Sequence, residues 1–367
     1  MSHARVALFE APDEKLTVVD VQIGPLAEDE IRIRVAGVGI CHTDLTALRG
    51  GVPLPLPAVV GHEASGIVEE VGAEVTTLVP GDHVVVSFDS CRTCTQCTSG
   101  RPAYCELFAA LNYFGTRLDG STTMSRDGEP VHGNWFGQSS FGTHAVASVR
   151  NAVKVDESLP LHLLGPLGCS LQTGAGTVLS VLRPKPGQSI AVFGLGAVGL
   201  SALMAAKALG CTPIIAIDPN PERLNLATEL GATHTLDPNA IDDLAWAVTD
   251  ISANGVDFSV DAVGLESVVQ QALAVLRSPG ICATLGLQGL ENDIVIDQGH
   301  LLLGRTLTGV IEGDVDPHQF IPQLVDLWKN GQFPFDKLIK TYTLPEINEA
   351  LAAAAAGSVI KPVIVFD

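Results

Sequence analysis

Alternating hydrophobic and polar positions open the chain. Within residues 4–38, the run IRIRV from residue 31 places apolar side chains on every second position, and RVAL from residue 5 is a second apolar-rich run. This period of two is typical of half-buried antiparallel strands. Short apolar runs between glycines and prolines follow in GIVEEVGAEV and GDHVVVSF, and the strand pattern returns at 141–149 and 153–155. The first part of the chain is therefore predicted to be a β-rich domain.

The pattern changes at Gly165. The stretch GPLGCSLQTGAGTVLSVLR predicts a helix that ends before Pro184 and Pro186, and we place the crossing into a second domain here. From the apolar run at 189–193 onward, buried strands alternate with helices. This alternation predicts an α/β domain with a doubly wound sheet of six parallel strands, covered by helices on both faces.

The last part of the chain is expected to leave this sheet near Glu312. Helices are predicted near 320–329 and 347–356, with a final strand at 361–366 that returns to the first domain. The predicted organisation is a β-rich domain at 1–170, a nucleotide-binding domain at 171–311 and a returning segment at 312–367. A length of 367 residues supports two domains, because one hydrophobic core rarely serves a chain of this size.

Between the strands, residues 115–141 are rich in glycine and serine with scattered aromatic residues. This segment is too polar for a core and too long for a simple connection. We predict that it is a loop at the rim of a binding cleft.

Charge narrows the classes of partner. Lys+Arg number 21 against 41 Asp+Glu, a net charge of −20, which repels nucleic-acid phosphates and anionic membranes. The first ten residues, MSHARVALFE, lack the basic and apolar regions of a secretion signal. No apolar run reaches the roughly 18 residues that span a bilayer. We expect a cytoplasmic enzyme or binding protein that contacts neither nucleic acid nor membrane.

A glycine-rich turn in the second domain indicates a dinucleotide-binding site. The sequence GLGAVG follows a buried strand and opens a helix, with an acid, Asp218, about twenty residues on. We expect Gly194 to permit the turn, Gly196 to let a pyrophosphate approach the helix start at Ala197 and Val198, and Gly199 to allow close packing. Asp218 would accept hydrogen bonds from the ribose hydroxyls and repel a 2′-phosphate, which favours NAD over NADP. The alternative is that Asp218 caps the following PNPERL helix.

Four of the eight cysteines lie within fifteen residues, in CRTCTQCTSGRPAYC. Four thiolates held by tight turns are the ligands of a closed, tetrahedral structural zinc. An iron–sulfur cluster is the second interpretation, since it also takes four cysteines. Four surface thiols with no metal would be an exposed, oxidisable cluster. The predicted structural zinc lobe spans about 88–110 and uses four ligands: Cys91, Cys94, Cys97 and Cys105.

A second set of metal-ligating side chains lies in GICHTDL and GHEASG. Cys41, His62 and Glu63 are side chains that bind transition metals, and the hydroxyl of Thr43 lies two residues from Cys41. Each residue alone is weak evidence for a metal site. A free cysteine is more often a small buried hydrophobic residue, and a lone histidine usually has its hydrogen bonds satisfied in a core or at the surface. Together they form a candidate metal site.

These motifs resemble the zinc-dependent, medium-chain alcohol dehydrogenases over essentially the whole chain: GHEASG, the four-cysteine lobe, GPLGCSLQTGAG and GLGAVG occur in the order of that family. The resemblance implies a Rossmann nucleotide domain beside a GroES-like catalytic domain, two zinc ions per subunit and NAD. It also implies that Cys169 joins Cys41 and His62 as a ligand of the catalytic zinc, with Glu63 as an alternate ligand. Three protein ligands leave one position open, as a catalytic zinc requires.

The resemblance also assigns supporting roles. Thr43 corresponds to the relay hydroxyl that takes the alcohol proton, and Asp44 to the acid that orients His62. The alternative for Asp44 is an N-cap of the helix after Cys41. Many relatives carry a histidine at the position of Thr46, so the last relay base differs here.

Two basic residues are further candidates. His42 is the nearest replacement for the missing relay base, and it is also expected at the cofactor pyrophosphate; its alternative is a plain surface histidine. Lys361 matches a basic position that contacts the cofactor phosphates in relatives, although a single surface lysine is usually only solvated.

Within the family, the segments SFDSCRTCTQCTSGRPAYC and GVIEGD are most similar to aryl-alcohol and allylic terpene-alcohol dehydrogenases. The resemblance implies reversible oxidation of primary aryl or allylic alcohols to aldehydes, with hydride passing from a zinc-bound alkoxide to the nicotinamide. Glutathione-dependent formaldehyde oxidation and broad aliphatic alcohol oxidation are alternatives, and a non-catalytic nucleotide-binding redox sensor is the alternative of another class. We expect a homodimer, or a tetramer, that pairs through the strand at 305–311.

Overall fold

Strands form from the start of the chain, where the alternating pattern predicts them. The computed structural model describes residues 2–289 and 291–366. Up to residue 155 the elements are β1 (Ser2–Phe9), β2 (Thr17–Ile23), β3 (Glu30–Gly39), α1 (His42–Leu48), β4 (Ala58–Val59), β5 (Ala64–Val71), β6 (His83–Val86), α2 (Thr95–Thr98), α3 (Phe108–Asn112), β7 (Met124–Arg126), β8 (Glu129–Val131), β9 (His144–Ser148) and β10 (Ala152–Val155).

Helices and strands then alternate. These elements are α4 (Ser170–Gly176), β11 (Ile190–Phe193), α5 (Ala197–Ala208), β12 (Ile214–Ile217), α6 (Pro221–Leu230), β13 (His234–Leu236), α7 (Leu244–Ser252), β14 (Val256–Asp261), α8 (Glu266–Ala274), β15 (Leu276–Thr284), α9 (Gln298–Leu302) and β16 (Thr306–Gly309). The last elements are α10 (Pro317–Lys329), β17 (Ile339–Thr343), α11 (Ile347–Ala356) and β18 (Lys361–Val365).

The described residues divide into two units. The first comprises the chain up to Cys169, Asp316–Gln323 and the residues from Asp336 onward; the second comprises Ser170–Val315 and Leu324–Phe335. The second unit thus includes residues 312–315 and 324–335, which the sequence analysis placed in the returning segment.

Two sheets, antiparallel except for the parallel pair β17–β18, build most of the first unit. One has the strand order β4-β1-β2-β7-β8, and the other has the order β10-β6-β5-β3-β18-β17 with β9 also paired to β3. The final strand β18 lies antiparallel to β3, with Val363 opposite Gly39. The C-terminal strand therefore returns to the sheet that carries the residues around Cys41.

The second unit contains one sheet in the order β13-β12-β11-β14-β15-β16, in which every neighbouring pair is parallel. All residues of β11 and β12 are buried, because helices cover both faces of the sheet. The chain order of the strands reverses between β11 and β14, which is the switch point at which such sheets bind ligands. The predicted doubly wound sheet is confirmed.

Two local predictions differ from the structure. Residues 115–141 are not a loop throughout, because they contain β7, β8 and a 3₁₀ turn at Trp135–Gly137. The predicted helix after residue 165 is a 3₁₀ turn at Gly165–Gly168 followed by α4 and a π-helical turn at Thr177–Leu182. Among the described residues, no helix combines the length and the apolar character needed to cross a lipid bilayer.

Candidate functional site

Four buried side chains of the first unit converge on one point. Ligand atoms of Cys41, His62, Glu63 and Cys169 all lie within 4.8 Å of one another. Cys41 lies at the start of α1, directly after the β3 segment, and His62 and Glu63 immediately precede β5. Cys169 follows the 3₁₀ turn Gly165–Gly168. Residues far apart in sequence therefore form one candidate metal centre.

Glycines allow the Cys169 segment to come this close. A Cβ on Gly165 would lie 2.0 Å from the carbonyl oxygen of Glu63, and one on Gly168 would lie 2.3 Å from that of Val86. The hydroxyl of Ser87 donates a hydrogen bond to the Gly168 carbonyl at 2.6 Å. The sequence GPLGC therefore fixes the position of the Cys169 thiol against the backbone of Glu63 and the end of β6.

His62 is held in one orientation by Asp44. Its Nδ1 lies 2.8 Å from Asp44 Oδ1, and both side chains are fully buried. Burial opposes protonation of the ring, but the charge of Asp44 outweighs it and raises the pKa of His62 well above its ordinary value. The other ring nitrogen, Nε2, is buried with no hydrogen-bond partner among the described residues. The side chain therefore presents a nitrogen ligand towards the two cysteines.

Asp44 also stabilises the start of α1. Its Oδ2 accepts the backbone N–H of Cys41 at 3.1 Å, within a capping box in which Cys41 is the N-cap. Asp44 is thus the third residue of the helix, not the N-cap that the sequence analysis kept as an alternative. It orients His62 and caps the helix at once.

The sulfur of Cys41 is suited to metal binding. The pKa of the Cys41 thiol lies well below its ordinary value. The main cause is a hydrogen bond from the Cys169 thiol, which outweighs the opposing effect of burial. Thr43 Oγ1 lies 3.8 Å from this sulfur. Two soft thiol ligands and one imidazole nitrogen match the preferences of zinc, so the residues present fit this ion.

Glu63 pairs with Lys361. The Lys361 ammonium donates to both carboxylate oxygens of Glu63, at 3.0 and 2.9 Å, and to the carbonyl of Ile40 at 2.9 Å. Burial alone would lower the pKa of Lys361, but the charge of Glu63 raises it. Lys361 is 2% exposed, and these three bonds use all its donors. The contact of Lys361 with cofactor phosphates stays a prediction.

His42 and Thr46 occupy α1 on either side of Asp44. His42 is the exposed first residue of the helix, and the buried Thr46 donates its hydroxyl to the carbonyl of His42 at 3.1 Å. The hydroxyl at position 46 is therefore engaged within the helix.

The four-cysteine lobe forms a second metal-ligating group. The sulfurs of Cys91, Cys94, Cys97 and Cys105 all lie within 4.8 Å of one another. Backbone N–H groups point at these sulfurs: that of Cys91 donates to Cys105 at 3.2 Å, and that of Cys94 donates to Cys91 at 3.3 Å. Burial opposes ionisation, but hydrogen bonds from Thr93 and Cys94 lower the pKa of Cys91 to about 6. Thiolates stabilised in this way fit a structural zinc.

Replacing Cys105 with serine is expected to remove one zinc per subunit and to lower the melting temperature. The mutation deletes a ligand of a closed site whose binding energy contributes to folding. Elemental analysis and calorimetry measure both effects. Cys211→Ser is the matched control, because Cys211 is also a buried free cysteine but lies outside both groups. Unchanged zinc content in Cys105→Ser would contradict a structural zinc here.

The glycine-rich turn of the second unit has the geometry of a nucleotide site. Gly194 has φ +82°, and a Cβ on Gly199 would lie 1.8 Å from the carbonyl oxygen of Gly194. A Cβ on Gly196 would meet nothing within 4 Å. Gly196 is the N-cap of α5, which begins at Ala197 and Val198 without a side-chain cap. The backbone at Gly196 is therefore open to close approach, as a pyrophosphate bound at the start of α5 would require.

Asp218 lies at the end of β12. Its carboxylate accepts the backbone N–H groups of Leu195 at 2.7 Å and Asn220 at 2.8 Å, and Arg223 approaches within 3.5 Å. The N-cap of α6 is Asn220, which accepts the N–H of Glu222. Asp218 is therefore not the helix cap that the alternative interpretation supposed.

Sequence reasoning missed three contacts of the metal centre. The indole of Trp135 donates to Asp44 Oδ1 at 3.0 Å, the ring of Phe136 stacks on His62 at 4.4 Å, and Lys361 pairs with Glu63. The aromatic residues lie in the 115–141 segment, whose composition indicated a loop. The local sequence carries no signal that these side chains are buried.

Comparisons with known proteins cover both units. The family model "Zinc-binding dehydrogenase" matches residues 197–330, and the model "Alcohol dehydrogenase GroES-like domain" matches residues 27–157. The geraniol dehydrogenase of Castellaniella defragrans is 48% identical over 365 residues, which are 99% of this chain and 98% of the relative.

Solved structures agree over the full length. An alcohol dehydrogenase zinc-binding domain protein from Burkholderia ambifaria has a TM-score of 0.97 at 44% identity and covers 100% of this chain and 99% of its own. The benzyl alcohol dehydrogenase of Acinetobacter calcoaceticus has a TM-score of 0.96 at 40% identity, with 100% of both chains covered.

Proposed function

The chain belongs to the zinc-binding alcohol dehydrogenases, and we propose that within this family it oxidises primary aryl and allylic alcohols to aldehydes. The family resemblance, the GroES-like fold of the first unit and the zinc-dependent dehydrogenase chemistry predicted from the sequence are confirmed. The substrate class is supported by relatives named for geraniol and benzyl alcohol.

An aromatic cluster beside the metal centre is the observation that carries the substrate proposal. Phe136 stacks on the ring of His62, Phe108 and Tyr113 pack against Phe136 at 6.3 and 5.7 Å, and Phe88 packs against Phe108 at 5.8 Å. Apolar and aromatic surroundings favour a hydrophobic alcohol over a small polar or charged one.

Three ligands are proposed for the catalytic zinc: Cys41, His62 and Cys169. When bound, this ion acts as a Lewis acid that lowers the pKa of the alcohol hydroxyl. Thr43, beside the Cys41 sulfur, is proposed as a relay: its oxygen accepts the proton of the alcohol hydroxyl as its own hydroxyl proton passes on to His42. The exposed ring of His42 is proposed to pass this proton to water, because Thr46 already bonds within α1.

Glu63 is proposed as an alternate zinc ligand. Its carboxylate lies within 4.8 Å of the other three ligand atoms while paired with Lys361. Lys361 holds this carboxylate by two hydrogen bonds, and at least one of them would have to break if Glu63 were to serve as a zinc ligand.

The proposed cofactor is NAD. The turn from Gly194 to Gly199 and the uncapped start of α5 would hold the pyrophosphate, and Asp218 would bind the adenosine ribose. The carboxylate of Asp218 is already oriented by Leu195 and Asn220, so its position does not depend on the ligand.

Substrate comparison tests the proposed class. We expect kcat/KM for benzyl alcohol and geraniol to exceed that for ethanol by about 100-fold or more, because each additional buried CH₂ contributes about 0.8 kcal/mol. Initial rates of NADH formation measure this. Higher kcat/KM for ethanol than for both larger alcohols would contradict the proposal and favour a broad aliphatic enzyme.

The same assay addresses the alternatives. Glutathione-dependent formaldehyde oxidation requires turnover of hydroxymethylglutathione above that of benzyl alcohol, and a redox sensor requires no alcohol turnover at all. Neither alternative is favoured by the relatives that match this chain over its full length.

We also infer a homodimer. β16 is an edge strand of the parallel sheet, and the preceding Val295 and Leu302 are 72% and 78% exposed. An open edge beside exposed apolar side chains favours pairing with a second copy across a two-fold axis. The tetramer and the cytoplasmic location stay predictions.

A further inference from the structure

The carboxylate of Asp44 is surrounded by N–H donors. Oδ1 lies 2.8 Å from His62 Nδ1, 3.0 Å from Trp135 Nε1 and 3.1 Å from the backbone nitrogen of Gly61, and Oδ2 accepts the backbone N–H of Cys41. Asp44 is fully buried. A buried carboxylate is costly unless it is hydrogen-bonded, so these donors determine where the carboxylate lies.

The indole of Trp135 is itself held in place. The side chain is fully buried and packs edge-on against Phe136 at 5.1 Å and tilted against Tyr113 at 6.0 Å. Its backbone N–H donates to Ser139 Oγ at 2.7 Å, and this hydroxyl donates to the carbonyl of Val59. The indole N–H is therefore a fixed donor.

Phe136 and Gln138, which follow Trp135 in the chain, contact the ring and the backbone of His62. The ring of Phe136 stacks on the imidazole with an interplanar angle of 25°. Phe136 has φ +51°, a left-handed conformation that is rare for a bulky residue and is kept only where the surroundings fix it. The side-chain amide of Gln138 donates to the His62 carbonyl at 2.9 Å and accepts the N–H of Ala64 at 3.1 Å.

We propose that Trp135 is a positioning residue for zinc binding: its indole N–H fixes the Asp44 carboxylate, which orients His62 so that Nε2 faces the metal. The proposal rests on the assignment of His62 as a zinc ligand made above, and it is independent of the alcohol that the enzyme oxidises. Partners behind a ligating histidine commonly control metal affinity, because they fix its tautomer and ring orientation.

Zinc release from the purified holoenzyme tests this role. A chromogenic chelator is added to the wild type and to Trp135→Phe, which keeps an aromatic ring and removes the N–H. We expect one of the two zinc ions per subunit to leave about 10-fold faster in the variant. The zinc of the four-cysteine lobe is an internal control, and its release rate is expected to stay unchanged.

Two matched substitutions separate the hydrogen bond from packing. Site-specific 3-benzothienylalanine at position 135 keeps the shape of the indole but has sulfur in place of the N–H, and we expect it to behave as Trp135→Phe. 7-Azatryptophan keeps the N–H and is expected to release zinc as the wild type does. Trp246→Phe is the control for tryptophan loss in general, because Trp246 is 67% exposed.

Three outcomes would overturn the proposal. Equal release rates in the wild type and the benzothienyl variant would show that the N–H is not used. Faster loss of both zinc ions would indicate a general loss of structure. Faster release with 7-azatryptophan as well would assign the effect to ring packing. A wild type with a single zinc per subunit would instead refute the zinc assignment itself.

Discussion

Replacement of Cys169 by serine is expected to lower kcat/KM for the alcohol by at least about 10⁴-fold. A neutral hydroxyl is a poor substitute for a thiolate, so the catalytic zinc loses one of its three proposed ligands. Loss of a metal that supplies several kcal/mol of transition-state stabilisation has an effect of this size, since each 1.36 kcal/mol corresponds to tenfold in rate. Cys169 is a cleaner target than Cys41, which is also the N-cap of α1.

Metal analysis and NADH titration complete this experiment. Zinc content is expected to fall from two ions to one per subunit, because the four-cysteine lobe is intact. NADH affinity is expected to stay close to that of the wild type, since the nucleotide turn belongs to the other unit. Cys282→Ser is the control, as Cys282 is fully buried and outside both metal-ligating groups. Full turnover by Cys169→Ser with a single zinc would refute the proposed role of this metal.

The elements with strong periodicity were predictable from the sequence. β11, the turn GLGAVG and α5 follow one another as the fingerprint requires, and the six parallel strands are confirmed. Their positions are set by local apolar runs and by glycines whose steric role depends only on the neighbouring residues. Gly199 shows this, because the atom that its Cβ would strike belongs to Gly194 of the same turn.

Residues joined only by the tertiary fold were not predictable in this way. Spacing does not connect Cys169 to Cys41, and only the family resemblance did so. β7 and β8 have three residues each, too few for a period of two to be recognised. Trp135 lies in a polar, glycine-rich stretch whose composition does not indicate burial against Asp44.

Lys361 has a buried partner that the sequence did not indicate. A lysine at a strand start is ordinarily solvated, but β18 pairs with β3 beside Gly39. A Cβ on Gly39 would lie 2.0 Å from the carboxylate of Glu63, so only glycine leaves room for that side chain. The buried carboxylate then takes Lys361 as its partner. This arrangement depends on three segments that the sequence does not show to be neighbours.

Replacement of Asp218 by serine is expected to shift cofactor preference from NAD towards NADP by about 10⁴-fold or more in the ratio of kcat/KM values, because a gain in NADP use of about 10³-fold combines with a loss in NAD use. At an effective dielectric constant of about 20, two like charges about 4 Å apart repel by about 4 kcal/mol, and the mutation removes this repulsion of a 2′-phosphate. Loss of the charged acceptor for the ribose hydroxyls is expected to weaken NAD use by about 10- to 100-fold. Steady-state rates with both cofactors at fixed alcohol concentration measure the ratio.

Arg223 allows a sharper form of this experiment. Its guanidinium lies 3.5 Å from Asp218 and is expected to bind the 2′-phosphate once the carboxylate is gone. In the double variant Asp218→Ser with Arg223→Ala, kcat/KM for NADP is therefore expected to fall back most of the way to the wild-type value. kcat/KM for NAD is expected to stay as low as in Asp218→Ser alone. Asp250→Ser is the charge control, because Asp250 is an exposed acid on α7 of the same unit. An unchanged NAD to NADP ratio in Asp218→Ser would show that this carboxylate does not face the adenosine ribose.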